Sequence, residues 1–275
     1  MSPGHYAFLS ILDWRWIWFT IAALLAGALN AVAGGGSFLS FPAMLGMGIL
    51  PIQANATNTV ALWPGQLTSI AAYRDDVRKN LRLVWPMGLA GLLGGAAGAV
   101  VLLNTPQNTF LRLVPWLLLS AATLFALSGP ISRRLALGSL RPSTPHQSSS
   151  ATTIHGPRWV PVFIATIAVC FYIGYFGAGA GFLLITMLSL FGFQNLNEIN
   201  ALKVISTTMA NGIAFIIFVF GHQVVWRYCL LAMVASAIGG FCSAHFARKI
   251  PQSILRGIVV TIGFAMAGWF FWSNH

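Results

Sequence analysis

The chain alternates long apolar runs with short polar connections, and two of its apolar runs are interrupted. Apolar residues dominate 16–33, 37–50, 55–73, 84–103 and 109–128, then, after a polar stretch, 159–174, 181–193, 200–220, 226–246 and 254–272. The longer runs approach or reach the ~20 residues a helix needs to cross a bilayer, so they predict spanning helices. The runs 37–50 and 181–193 fall short of that length and predict half-helices or re-entrant arms. Each is entered through glycines, Gly34, Gly35 and Gly36 before the first and Gly177, Gly179 and Gly181 at the second. Glycine weakens a helix by about 1 kcal/mol relative to alanine and Pro42 removes a backbone donor, so both segments predict broken helices. Backbone freed inside a bilayer is tolerated only where protein or a water-filled cavity covers it. The breaks therefore mark an interior site.

The interrupted stretches recur in register. At a separation of 144 residues Gly35 meets Gly179, Phe38 meets Phe182, Leu39 meets Leu183 and Gly48 meets Gly192. At 145 residues Asn55 meets Asn200, Asn58 meets Lys203, Gln66 meets Asn211, Gly94-Gly95 meets Gly239-Gly240, and Pro106-Gln107 meets Pro251-Gln252. Paired breakers at a fixed separation predict an internal duplication. The expected organisation is a first transmembrane repeat over 1–128, a Ser, Pro and Arg-rich cytoplasmic linker over 129–158, and a second transmembrane repeat over 159–275. The fold class is an all-α polytopic membrane protein with four or five arms per repeat, 8–10 segments in all, and a glycine-broken helix in each repeat. Ala31-Val32-Ala33 fits a small-residue cleavage site, but the run before it lacks a basic start and leads directly into the membrane pattern, so it predicts a first membrane arm. Small residues four apart, Gly91 with Gly95, Gly94 with Gly98, and Ala232, Ser236, Gly240 and Ala244, predict close helix packing.

Composition narrows the class. In 275 residues 57% are hydrophobic and 7% charged, with 10 Trp and 20 Phe, which is too apolar for a soluble domain and implies a lipid bilayer as partner. A net charge of +11 then reads as cytoplasmic loops rather than nucleic-acid binding. Basic residues cluster at Arg74, Arg78, Lys79 and Arg82, at Arg133, Arg134, Arg141 and Arg158, and at Arg248 and Lys249. Five arms per half put all three clusters inside and both termini outside, which makes the repeats inverted; eight spans would leave Arg248 and Lys249 outside. The acids Asp13, Asp75, Asp76 and Glu198 and the scattered histidines offer neither paired carboxylates nor a metal-like cluster, so no enzyme, cofactor or metal site is predicted. Cys170, Cys229 and Cys242 sit in apolar runs as packing residues.

Candidate chemistry lies on two helical faces. At 3.6 residues per turn Asn55, Asn58, Thr59, Gln66 and Ser69 share one face, and Asn200, Lys203, Thr207 and Asn211 share the matching face of the second half. With Gly34, Gly35, Gly36, Ser37, Gly179 and Gly181 these form the candidate substrate-binding set. The competing roles are interhelical hydrogen bonds for the amides, helix caps for Asn55 and Asn200, and a snorkelling end for Lys203. An intramembrane lysine is costly and by default marks a substrate or ion pathway. Glu198 is the coupling candidate, either a proton carrier or a loop carboxylate near Lys203.

The motifs AGGGSFLSFPAMLGMG with Ala54-Asn55-Ala56-Thr57-Asn58, and GYFGAGAGFLLI with Asn200-Ala201-Leu202-Lys203, resemble the paired signatures of the TauE/SafE sulfite exporter family, also called the toluene sulfonate uptake permease family. The likeness covers nearly the whole chain and departs at Thr186, where the second signature usually carries a proline like Pro42. The resemblance implies secondary transport of sulfite, sulfoacetate or aryl sulfonates across the bacterial inner membrane. Another small organic anion, or an anion channel, is the alternative.

Overall fold

The computed structural model describes residues 14–33, 35–139, 159–193, 195–246 and 252–273. Among these residues eleven helices and no strand form: α1 (Trp14–Ala33), α2 (Ser37–Gly46), α3 (Pro51–Ala72), α4 (Arg74–Lys79), α5 (Leu81–Leu103), α6 (Gln107–Ser139), α7 (Trp159–Tyr175), α8 (Ala180–Leu190), α9 (Leu196–Phe220), α10 (Trp226–Phe246) and α11 (Gln252–Ser273). Every expected apolar run contains a helix, although the short arms end at Gly46 and Leu190, before the runs 37–50 and 181–193 do, and α4 is an addition in the first basic loop. The half-length arms are real. α2 has 10 residues and α8 has 11, about 15 Å each at 1.5 Å per residue and about half a ~30 Å hydrocarbon core.

Helix length and apolarity alone single out fewer crossings than the run pattern predicts. Among the described residues two helices, Leu81–Leu103 and Asn197–Phe220, are long and apolar enough by themselves to cross a membrane. Several of the others are short arms or carry the polar faces described below.

Three boundaries differ from expectation, each for a local reason. Pro51 opens α3 four residues early, as proline does at a first helical position, and Gln107 Oε1 accepts from Ile52 N at 3.0 Å. Asn195 caps α9, its side chain accepting from Asn197 N at 3.0 Å and Glu198 N at 3.5 Å. Asn55 and Asn200 therefore lie inside their helices and cap nothing, and Glu198 sits in a first helical turn rather than a loop. Finally, α6 continues through Gly129 and Pro130 to Ser139, into the stretch assigned to the linker. Arg, Leu and Ala after Pro130 are good helix formers, and propagating a helix costs less than nucleating one. The rest of that stretch, 140–158, lies outside the described residues.

Packing mixes the two halves of the chain. α5 packs along α7 and α9, whereas α10 packs along α1 and α3. The approaches are close enough to need glycine: a side chain at Gly98 would overlap the Phe171 carbonyl of α7, and one at Gly239 would overlap the Leu24 carbonyl of α1. α6 pairs with α11, and α3 crosses α9. Phe19, Phe38, Phe41, Phe110 and Phe218 fill the larger core, while Val84, Leu188, Phe193 and Leu202 fill a second one between α5, α8 and α9.

Helix directions follow from the contacts. Trp16 stacks on Tyr228 and Gly239 meets Leu24, so α1 and α10 run the same way. Gly88 meets Ile205 and Gly95 meets Ala210, so α5 and α9 do too; Gly94 meets Ile167 and Gly98 meets Phe171, so α7 joins them. The five-residue connection 221–225 sets α9 and α10 in opposite senses. Thus α1 and α7 run in opposite directions. Leu230, Val234, Ile238 and Phe241, about a turn apart on α10, are exposed and give the molecule an apolar flank suited to lipid tails.

Candidate functional site

Two chain reversals organise the interior. At the second, Phe176 N and Gly177 N both donate to Tyr172 O, at 2.9 and 3.1 Å, and Tyr172 Oη donates to Ala178 O at 2.8 Å. Gly177 and Gly179 hold φ of 77° and 69°, the left-handed conformation that closes α7 and opens α8 within four residues. At the first, Gly36 keeps a helical φ of −56°, and a side chain there would overlap the Ala26 carbonyl, because α2 folds back onto α1. Gly35 is buried beside it. Gly34 lies outside the described residues.

The polar face of α3 is largely consumed by structure. Asn55, buried, donates from Nδ2 to Tyr175 O at 3.1 Å, satisfying a carbonyl at the end of α7. Thr59 Oγ1 donates to Asn55 O in its own helix at 3.0 Å. Asn58 links α3 to the first break: its Nδ2 donates to Ser37 Oγ at 3.1 Å, and its Oδ1 accepts from the Ser40 hydroxyl, which also lies 3.1 Å from Gly36 O. Ser40 and Asn58 are both buried.

The corresponding face of α9 is arranged differently. Lys203 Nζ donates to Asn200 Oδ1 at 3.1 Å, and its Cδ lies 3.6 Å from where a side chain on Gly181 would begin. Thr207 Oγ1 returns to Lys203 O at 2.9 Å and so adds no free donor. Asn211 Nδ2 donates to Thr207 O at 3.0 Å and to Gln66 Oε1 of α3 at 3.1 Å, and its Oδ1 lies 3.9 Å from the open side of Gly177. A side chain at Gly179 would instead face Phe38 and Ala121, and the Gly179 carbonyl accepts from Phe182 N at 3.1 Å, so the residue serves the turn. The described ion pair is Arg74 with Asp75 at 3.7 Å on the surface. Among the described residues Lys203 thus has no carboxylate within 4.0 Å, and buried Glu198 is not its partner.

The structure therefore gathers two sets: Ser37, Ser40 and Asn58 at the first break, and Gly181, Asn200 and Lys203 with Asn211 and Gln66 at the second. Gln66 and Asn211 meet where α3 crosses α9, as do Trp63 and Thr208, whose indole Nε1 donates to the Thr208 carbonyl at 3.1 Å. In both contacts the partners are 145 residues apart. Ser40, Trp63 and Thr57, whose hydroxyl accepts from Val225 N at 3.0 Å, are absent from the candidates read in the sequence. Ser40 carried a signal, lying one turn after Ser37 on the same short arm. Among the described residues no three metal-ligating side chains converge. The second set can offer hydrogen-bond donors and one cation to an anion.

A family model described as sulfite exporter TauE/SafE matches residues 19–270. The chain is 28% identical over 250 residues to the probable membrane transporter protein ORF9 of Sinorhizobium, covering 90% of this chain and 88% of that protein. It is 25% identical over 257 residues to a probable membrane transporter protein of Haemophilus influenzae, covering 90% and 93%. With the probable membrane transporter protein YfcA of Escherichia coli K12 it shares 22% identity over 261 residues, covering 92% and 88%. No solved structure matches the chain.

Proposed function

Because the chain belongs to the sulfite exporter TauE/SafE family of membrane transporters, we propose that it is a secondary carrier of small sulfur oxyanions, sulfite or organosulfonates such as sulfoacetate and aryl sulfonates, working by alternating access as a multi-pass protein of the bacterial inner membrane. The observation that carries this reading is Lys203, a cation on an interior face with a neutral hydrogen-bond partner and no described counter-ion. Lys203 is half-buried, and a cation drawn that far into an apolar interior is costly unless something anionic completes it. The half-helix that starts at the second break adds the positive end of its dipole. Three sulfonate oxygens suit donors spread over several elements, whereas a planar carboxylate offers two.

Inverted repeats are part of the same proposal. Supporting them are the opposed directions of α1 and α7, the half-length α2 and α8, and the two contacts between residues 145 apart at the α3–α9 crossing. Rocking about such a crossing would expose the interior to each side in turn. Export of a monovalent anion runs down an inside-negative potential by about 2.3 kcal/mol per 100 mV, and uptake needs a co-ion, for which Glu198 is the proton-carrying candidate.

Proteoliposomes of the purified protein test the reading. Preloaded sulfite or toluenesulfonate should exchange against the same anion outside, carboxylates of similar size should compete poorly, and an imposed pH gradient should drive net uptake if a proton is coupled. Passage of a cation or a neutral solute without exchange of any sulfur oxyanion would refute the substrate class. Currents orders of magnitude above carrier turnover would establish an anion channel instead.

A further inference from the structure

The two breaks occupy matching positions in the chain, yet their side chains do different things. At the first, Asn58 reaches Ser37 at the start of α2 and Ser40 one turn on, so its amide is held at both ends by its own half. At the corresponding places of the second half stand Lys203, Gly181 and Leu184. The hydroxyls are gone, the amide is a cation, and Lys203 turns back to Asn200 on its own helix for its hydrogen bond.

Gly181 sharpens the contrast because nothing in the backbone requires it. Its φ is not in the left-handed region, unlike that of Gly177 and Gly179, and a side chain there would meet the Lys203 stem at an ordinary 3.6 Å. At Gly36, by comparison, the Ala26 carbonyl leaves no room. A glycine that sterics do not demand leaves the surface of α8 open beside a lysine with three donors and one described acceptor. Ala180 N and Phe182 N of that first turn already donate to Gly177 O and Gly179 O, at 3.4 and 3.1 Å, so Lys203 is the donor left for an anion.

Resting on the anion-carrier reading above, we propose that the carrier holds a single oxyanion, at the second break between Lys203, Asn200 and the first turn of α8 at Gly181, while the first break is closed by Ser37, Ser40 and Asn58 and binds nothing. The duplicated fold then has one working site and one sealed copy of it. Loss of symmetry at three positions makes the difference: Ser37 against Gly181, Ser40 against Leu184, and Asn58 against Lys203.

Equilibrium dialysis of the detergent-purified full chain against radiolabelled sulfite and toluenesulfonate tests this directly. The unmodified protein should bind one anion per chain. Lys203→Met should weaken binding at least tenfold, and so should the double variant Gly181→Ser/Lys203→Asn, which transplants two of the three sealing residues; its melting temperature reports whether it is folded if Lys203→Met is not. Ser40→Ala should lower the melting temperature and leave the dissociation constant within threefold. Two anions per chain, or binding unchanged in the folded double variant, or a tenfold loss in Ser40→Ala, overturns the single-site inference while leaving the anion carrier standing. An unmodified chain that binds neither anion overturns both.

Discussion

Asn55 answers a carbonyl that belongs to the other half's break, and its value follows from that. Replacing it by Leu leaves the Tyr175 carbonyl at the end of α7 without its donor, and a buried unpaired carbonyl costs about 1–3 kcal/mol. Asn55→Leu should therefore melt well below the unmodified protein in detergent, while Thr59→Val, which gives up only a bond within its own helix, should change stability by less than about 1 kcal/mol. Equal melting of the Asn55 variant would mean that the carbonyl finds another donor. The polar faces themselves were legible, because Asn55, Asn58 and Gln66, and Asn200, Lys203 and Asn211, recur at helical spacing. Their partners were not. Ser40, Trp63 and Thr57 bond across the fold, and no local pattern announces a contact between residues 145 apart. Asn195 was a local signal passed over: Asn195 followed three residues later by Glu198 has the spacing of a capping motif.

At the scale of elements, glycine rather than proline makes the breaks. Pro42 lies inside α2, and Thr186, at the corresponding place, lies inside α8, so the departure from the usual proline there leaves the second short arm intact. The reversal is set by Gly177 and Gly179 at positive φ. Gly179→Ala should cost about 1–2 kcal/mol of left-handed strain and slow transport by tilting α8, since its side chain would meet only ordinary contacts at 3.5 Å or more. Pro42→Ala should fold and transport like the unmodified protein, because α2 already tolerates the missing donor. Comparing melting curves and exchange rates of the two variants checks the assignment; equal damage from both would restore proline to the break. The starts of α2 and α8 could be read from the glycines, but the helices end at Gly46 and Leu190, four and three residues before their apolar runs do. The start of α3 could not be read, because Pro51 reads equally well as loop and as helix entry.

For the whole molecule, inverted repeats predict an outcome at the surface. In a background without Cys170, Cys229 and Cys242, a cysteine at Ser139 should react with an impermeant maleimide only from the cytoplasmic side, and one at Gln223 only from outside. Labelling of both from one side would rule out the inverted arrangement. Opposed halves could be proposed from the basic loops. The exchange of helices between them could not: α5 lies against α7 and α10 against α1 because of backbone approaches at Gly98 and Gly239, and the small-residue stripes announce a close neighbour without naming it.

That exchange governs how the protein is made. The groove of α1 that receives α10 stays empty until about 200 more residues have been synthesised, on the order of 10–40 s at 5–20 residues per second. Through that interval the nascent first half sits in the lipid with a glycine-lined flank that only the second half can cover. Helix exchange of this kind predicts that the two halves do not fold as autonomous units. A gene cut within the stretch encoding 140–158 should yield two fragments that are each degraded when expressed alone and that assemble into an active transporter when expressed together. A first half that purifies alone as a monodisperse species would contradict it.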